Sequence, residues 1–595
     1  MRNIAWLAAS FLCLGSAGWS QEVADSVAPE SSVAGHFDSA APIIQEALRA
    51  KANEQPVEAE NWMVSAANPL AVAAGADVLR QGGSAADAMV AVQTVLGLVE
   101  PQSSGLGGGA FLVWYDAATD ELTTLDGRET APLAATPRLF QDDTGEPLGF
   151  FDAVVGGRSV GTPGTPALME EAHRRWGRTP WPRLFAAGIE LAEDGFRVSP
   201  RLAGLVARDA ERLQRYSETA AYFLPGDVPL QAGDHLRNPA YAETLRALAA
   251  KGAEAFYAGP IAAEIVQTVQ NAGGNPGVLS LIDLALYQVK ERAPVCAEYR
   301  VYEVCGMGPP SSGALTVGQI LGMLDGYDLS ATGPEAAESW RLIGDASRLA
   351  FADRGRFMAD SDFVPVPEAG LVDPVYLAER GKLLNGETAL EHVEPGQPKF
   401  DHALNWADDE AIELPSTSHI SIVDAYGNVL SMTTTIENAF GSRLMVRGFL
   451  LNNELTDFSF RTHRDGVPIA NRLEPGKRPR SSMSPTIVMK DGQPVLAIGS
   501  PGGSRIIGYV AKAIVAWADW GMDVQQAVAM PHLVNRFGTY DVEAGTEATT
   551  FSEPLSEIGF EVKERDLNSG LHVIEIGDGL KGGADPRREG IAIGE

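Results

Sequence analysis

The sequence predicts an α+β protein, a layered sandwich of helices and strands. Three observations point there. Helical and strand-forming stretches come in blocks instead of alternating singly, as a doubly wound sheet would require. Two early helical stretches are apolar all round, which places them between layers. Finally, the glycine-rich segment "SSGLGGGAF" runs into a strand with no Lys after it, so neither nucleotide-binding fingerprint fits.

At 595 residues the chain is long for one ordinary domain. Its formal net charge of −32 argues against nucleic acid or an anionic membrane surface as a partner. A small anionic substrate would then need its own arginine or helix N-terminus.

Residues 1–20 read as a secretory signal peptide: Arg2, an apolar stretch from Ile4 to about Gly15, then small residues up to Ser20. That stretch is too short to span a membrane, and export to the periplasm or beyond is expected. Residues 21–60 are polar and small, a flexible lead-in. From Met63, "NPLAVAAGADVLRQGGSAADAMVAVQTVLGLVEP" predicts two helices, with Gly82 and Gly83 stopping the first and Ser84 capping the second. A strand "AFLVWYD" then turns at "AATDE" into another that ends at Arg128. Helices fill roughly 160–290 and 315–385. Cys296 and Cys305 sit on two short strands, where export would permit a disulfide. No cysteine or histidine spacing suggests a metal site.

Residues 386–416 are acidic and aperiodic, a linker. It ends directly before "STSHISIVDAYGNVLSMTTTI", whose alternation marks a strand from 417 to 424 and a partner from 429 to 436. The loop "AYG" suits a three-residue hairpin with Gly427 in the left-handed position. Asp424 then faces Val429 or Asn428. The second register centres the turn on Tyr426 and sets Thr435 across from Thr417; a slip of one residue would turn Thr435 away.

Taken alone, Thr417 is a plain strand residue and His419 a structural histidine; no spacing supports a Ser–His–Asp triad. The linker offers another chemistry. Thr417 can attack the carbonyl of Ser416, pass the chain to an ester, and be released by water as an N-terminal threonine. Its amine, with an unperturbed pKa of about 7.7–8.0, suits the role of base to its own hydroxyl. An oxyanion hole is available in "IGSPGGSRI", where Gly502 and Gly503 present backbone N–H groups at a helix start.

"SSGLGGGAF", "LDGRETAP", "STSHISIVD", "LLNNELTDFS", "KRPRSSMSPTIV", "GSPGGSRI" and "ADPR" together resemble the gamma-glutamyltranspeptidases (glutathione hydrolases) of the N-terminal-nucleophile superfamily, in family order. The resemblance implies a four-layer αββα sandwich, self-cleaved between Ser416 and Thr417. A large subunit 61–416, containing the 386–416 linker, and a small subunit 417–595 would form a heterodimer. It further implies Thr417 as nucleophile, Thr435 as its hydroxyl support, and Gly502 and Gly503 as oxyanion hole. Arg128, with Ser481 and Ser482, would take the α-carboxylate of a γ-glutamyl donor, and Glu454 and Asp457 its ammonium. No cofactor is implied, and the acyl group would go to water or to an amino acid or dipeptide amine. Three departures stand out. Glu437 replaces an asparagine that contacts the donor's amino end, Thr456 replaces an aspartate, and Phe460–Pro475 is shorter than some lids. They leave open a cephalosporin (glutaryl-type) acylase of the same fold; a non-catalytic secreted binding protein is the third reading.

Overall fold

The computed structural model describes residues 37, 41–402, 405–409, 411 and 413–595. The signal segment 1–20 lies outside them. Two seven-stranded sheets form the centre. The first runs Ile591–Gly594, Met63–Ala66, Ser418–Val423, Val429–Thr435, Gly109–Asp116, Glu121–Gly127, Lys290–Arg292. The second runs Val57–Ala59, Leu580–Ala584, His572–Ile576, Gln493–Gly499, Thr486–Lys490, Tyr302–Gly306, Val295–Tyr299. Every pairing within these two sheets is antiparallel.

Side-chain alternation builds the layers. Ile420, Ile422, Leu430 and Met432 pack outward against the helices Pro69–Arg80 and Ala85–Val99. The second sheet turns Val304, Val488, Leu496 and Ile498 toward Gly313–Leu324, Ala337–Phe357 and Ile506–Ala518. Between the sheets, Val113, Val423 and Val429 meet Ile487, Ala497 and Ile574. This is the expected four-layer αββα arrangement. The hydroxyls of "SHISIV" and "VLSMTTT" lie buried in it: Ser421 Oγ donates to the His572 carbonyl at 3.1 Å and Ser431 Oγ to that of Ile498 at 3.2 Å, linking the sheets.

The two early helices occupy the expected residues, and Ser84 caps the second with a reciprocal bond from its own N–H to Asp87. Cys296 and Cys305 are register partners joined by a disulfide. Residues 21–36 and 38–40 of the lead-in lie outside the described residues, and its later part differs from expectation. Pro42–Ala52 is a helix that buries Ile44 and Ala47, and Val57–Ala59 adds an edge strand. These apolar side chains, with Lys51 donating to the Arg588 and Gly590 carbonyls, dock a segment that composition alone reads as flexible.

Candidate active site

The hairpin adopts the register that centres on Tyr426. Ser418 pairs with Thr434 and Val423 with Val429, so Thr417 and Thr435 lie opposite one another. Gly427 supplies the left-handed turn residue at φ 85°. Thr417 Oγ1 donates to Thr435 Oγ1 at 3.0 Å, and the same oxygen accepts the Glu437 N–H at 2.8 Å. Thr417 itself sits at φ 113°, a conformation that a β-branched residue holds only under strain. The peptide bond to Ser416 is thus held in a bent path: Ser416 Oγ donates to the Gln102 carbonyl at 2.8 Å, and Arg588 donates to the Thr417 carbonyl at 3.1 Å. His419 is not a base here. It is buried, bonded to Thr433 and Ser421, and burial holds its pKa well below the usual histidine value.

Gly502 and Gly503 follow the strand Gln493–Gly499 and precede the helix Ile506–Ala518, at φ 139° and 58°. A Cβ on Gly503 would stand 2.4 Å from the carbonyl oxygen of Glu413. That oxygen accepts the Ser504 N–H at 3.1 Å, so the backbone at this turn already serves a carbonyl.

Arg128 is fully buried at the end of the strand Glu121–Gly127. Its Nη1 pairs with Glu454, its Nη2 lies 2.5 Å from Asp457, and it also donates to the carbonyls of Pro479 and Arg480. The resemblance assigned the arginine and the two acids to opposite ends of a substrate; in the structure they are bonded to each other. Glu437 accepts the Leu414 N–H at 3.2 Å and is bonded to Asn453. Burial pushes the carboxyls of Glu437, Glu454 and Asp457 well above the usual range, and Arg128 opposes that shift. Glu129, missed by sequence reasoning, lies 4.0 Å from Arg128 with both oxygens lacking a hydrogen bond, and burial pushes it up to about 8.

Thr417, Thr435, Gly503, Arg128, Glu437, Glu454, Asp457, Ser481 and Ser482 line one pocket. Gly502 adjoins it in the chain. The linker residues Glu413 and Leu414 line it too, leaving about 20 Å³, room for roughly one water molecule. Among the described residues no group of acids, histidines or cysteines forms a metal site.

The sequence profile of the Gamma-glutamyltranspeptidase family matches residues 71–595. The chain belongs to that family. The glutathione hydrolase proenzyme of Bacillus subtilis (strain 168) is 38% identical over 551 residues, covering 90% of this chain and 92% of its own. The glutathione hydrolase proenzyme of Escherichia coli (strain K12) is 35% identical over 547 residues, covering 89% and 91%. A crystal structure of cephalosporin acylase from Bacillus halodurans superposes with a TM-score of 0.80 at 26% identity, covering 91% of this chain and 97% of that one. Like these relatives, this chain has the N-terminal-nucleophile fold, and it is an enzyme.

Proposed function

We propose that the chain is a proenzyme that cuts itself between Ser416 and Thr417 and then acts as a gamma-glutamyltransferase and glutathione hydrolase. The observation that carries this is the Thr417–Thr435 hydrogen bond, in a pocket that also holds Arg128 and its two acids. In the first step Thr417 Oγ attacks the Ser416 carbonyl carbon, the peptide C–N bond breaks, and an ester forms. Water hydrolyses the ester, leaving a carboxylate on Ser416 and a free amine on Thr417. Loss of the strained φ at Thr417 favours this step.

In turnover the Thr417 amine takes the hydroxyl proton and Oγ attacks the γ-carbonyl of the donor. Backbone N–H groups at Gly502 and Gly503 receive the oxyanion. The proton passes to the departing amine, and the γ-glutamyl ester is then taken by water or by an amino acid or dipeptide amine. A zwitterionic donor suits the ion cluster: its carboxylate goes to Arg128, Ser481 and Ser482, and its ammonium to Glu454, Asp457 and Glu437. Each buried charge keeps a partner, which is what makes the exchange tolerable. No residue in this scheme calls for a cofactor. The scheme makes 61–416 and 417–595 the two subunits of a heterodimer; export to the periplasm or medium goes with the signal-like residues 1–20.

The likeness to a cephalosporin acylase favours a second reading, an acylase for glutaryl-type side chains. Glu454 and Asp457 weigh against it, because an acyl group without an ammonium leaves them no cation but Arg128. A binding protein without catalysis would have no use for the aligned hydroxyl pair. The test is intact mass and N-terminal sequencing of wild type beside Thr417→Ala, followed by turnover of γ-glutamyl and glutaryl anilides. A fragment beginning Thr-Ser-His-Ile, absent from the variant, and faster release from the γ-glutamyl donor are expected. An uncut wild-type chain would end the proposal.

A further inference from the structure

One buried ion cluster enters the scheme above only through Ser482. Glu413, in the linker, places its carboxylate on the Arg354 guanidinium and the Ser482 hydroxyl, with Arg480 Nε at 3.6 Å. Arg354 also donates to Ser482 Oγ and to Ser312 Oγ, each at 2.8 Å, and Arg480 pairs with Asp409 at 3.0 Å. Both arginines are buried. Their acidic partners, Glu413 and Asp409, both lie upstream of the proposed cut. The other end of Glu413 is equally placed: its carbonyl oxygen accepts the N–H of Ser504, the next residue after the proposed oxyanion donors Gly502 and Gly503.

The skeleton of a glutamyl residue makes this arrangement informative. From the main-chain carbonyl of Glu413 to its side-chain carboxylate there are three carbons. From the reacting γ-carbonyl of a γ-glutamyl donor to its α-carboxylate there are also three. Glu413 therefore spans the pocket as a donor acyl group would, carbonyl at the glycine turn and carboxylate at Ser482. The remaining space of about 20 Å³ cannot admit a γ-glutamyl group beside it, so the linker end has to withdraw before a donor enters. Its departure leaves Arg354 without the carboxylate that neutralised it and Arg480 with Asp409 alone, and buried charge left uncompensated is strongly unfavourable.

We infer that Glu413 is an internal stand-in for the donor acyl group, and that in the mature enzyme Arg354 and Arg480 join Ser482 in holding the donor's carboxylate. The inference rests on the acyl-transfer reading and adds to it. The site then selects acyl groups by a terminal carboxylate three carbons from the reacting carbonyl, through three arginines and not one. A guanidinium pair suits this because each fork presents several donors to a planar carboxylate.

The test uses the fully cleaved enzyme and a γ-glutamyl anilide. Arg480→Leu is expected to raise KM at least about tenfold with kcat within about threefold, and Arg480→Lys to recover part of the loss. An independent arm leaves the enzyme unaltered. Acetyl-Glu-Leu-Pro-Ser should compete with the anilide at least about tenfold better than acetyl-Gln-Leu-Pro-Ser, since only the first carries the carboxylate. An unmoved KM in cleaved Arg480→Leu, or equal inhibition by the two peptides, overturns the inference while leaving acyl transfer intact. Absence of any turnover by fully cleaved wild type would instead sink acyl transfer, and this inference with it.

Discussion

Thr435→Val tests the hydroxyl pair at the centre of the site. Valine keeps the branched shape, so packing in the strand Val429–Thr435 is preserved and only the oxygen is lost. That oxygen accepts two hydrogen bonds, from Thr417 at 3.0 Å and from the Glu437 N–H at 2.8 Å, in a fully buried setting. Each donor left unpaired costs about 1–3 kcal/mol. The Glu437 share acts on stability alone, since that bond is the same before and during reaction. The Thr417 share acts on the nucleophile's orientation; at about 1–2 kcal/mol it corresponds to a rate loss of about 5–30-fold. Self-cleavage followed by gel, and kcat with a γ-glutamyl anilide, should both fall by that factor. Thr435→Ser, which keeps the oxygen, should stay within about threefold of wild type. Wild-type rates in Thr435→Val, or an equal fall in Thr435→Ser, would refute the reasoning.

Strain at Thr417 makes Thr417→Gly more stable than Thr417→Ala by about 1 kcal/mol in denaturant unfolding, because glycine accepts φ 113° freely, and both remain uncut. The opposite order would place the strain elsewhere. Arg128→Gln leaves Glu454 and Asp457 buried without their cation, a loss of about 3–5 kcal/mol in donor binding and folding together; KM rises about a hundredfold, and Arg128→Lys does not restore the forked contact. His572 is buried and its pKa falls to about 3, burial being the chief cause. The unfolded chain protonates this histidine near 6.5 while the native state does not, so stability is lost as pH falls from about 6.5 toward 3. His572→Gln should flatten the acid limb of a plot of melting temperature against pH, and an unchanged slope would count against it.

Local chemistry made much of this legible in the sequence. The turn "AYG" with Gly427 narrows the hairpin to two registers, and Thr417 faces Thr435 in one of them. Ser84 followed by Asp87 announces its helix start because a capping box is a four-residue event. Gly502 and Gly503 mark a strand-to-helix turn that tolerates no side chain. What stayed hidden was non-local. Glu413 looked like one more acid in an acidic linker, and nothing near it in the chain announces Arg354 or Arg480, 59 and 67 positions away. Likewise, no periodicity reveals that Arg128 is paired with Glu454 and Asp457, or that Glu129 is buried without a hydrogen bond. The later part of the lead-in was misread because docking of Pro42–Ala52 depends on the chain's last strand, which closes the first sheet far away in sequence.

The strand order has a consequence for how the two pieces live together. In the first sheet, Ser418–Val423 lies against Met63–Ala66 on one side, and Val429–Thr435 lies against Gly109–Asp116 on the other. In the second, Thr486–Lys490 is joined to Tyr302–Gly306. A cut at Ser416–Thr417 would therefore turn one polypeptide into two without unpairing a strand of either sheet. Neither piece owns a complete sheet, so pulling them apart amounts to unfolding both. After the proposed cut the pair, once denatured, would lack the tether that brings its strands into order.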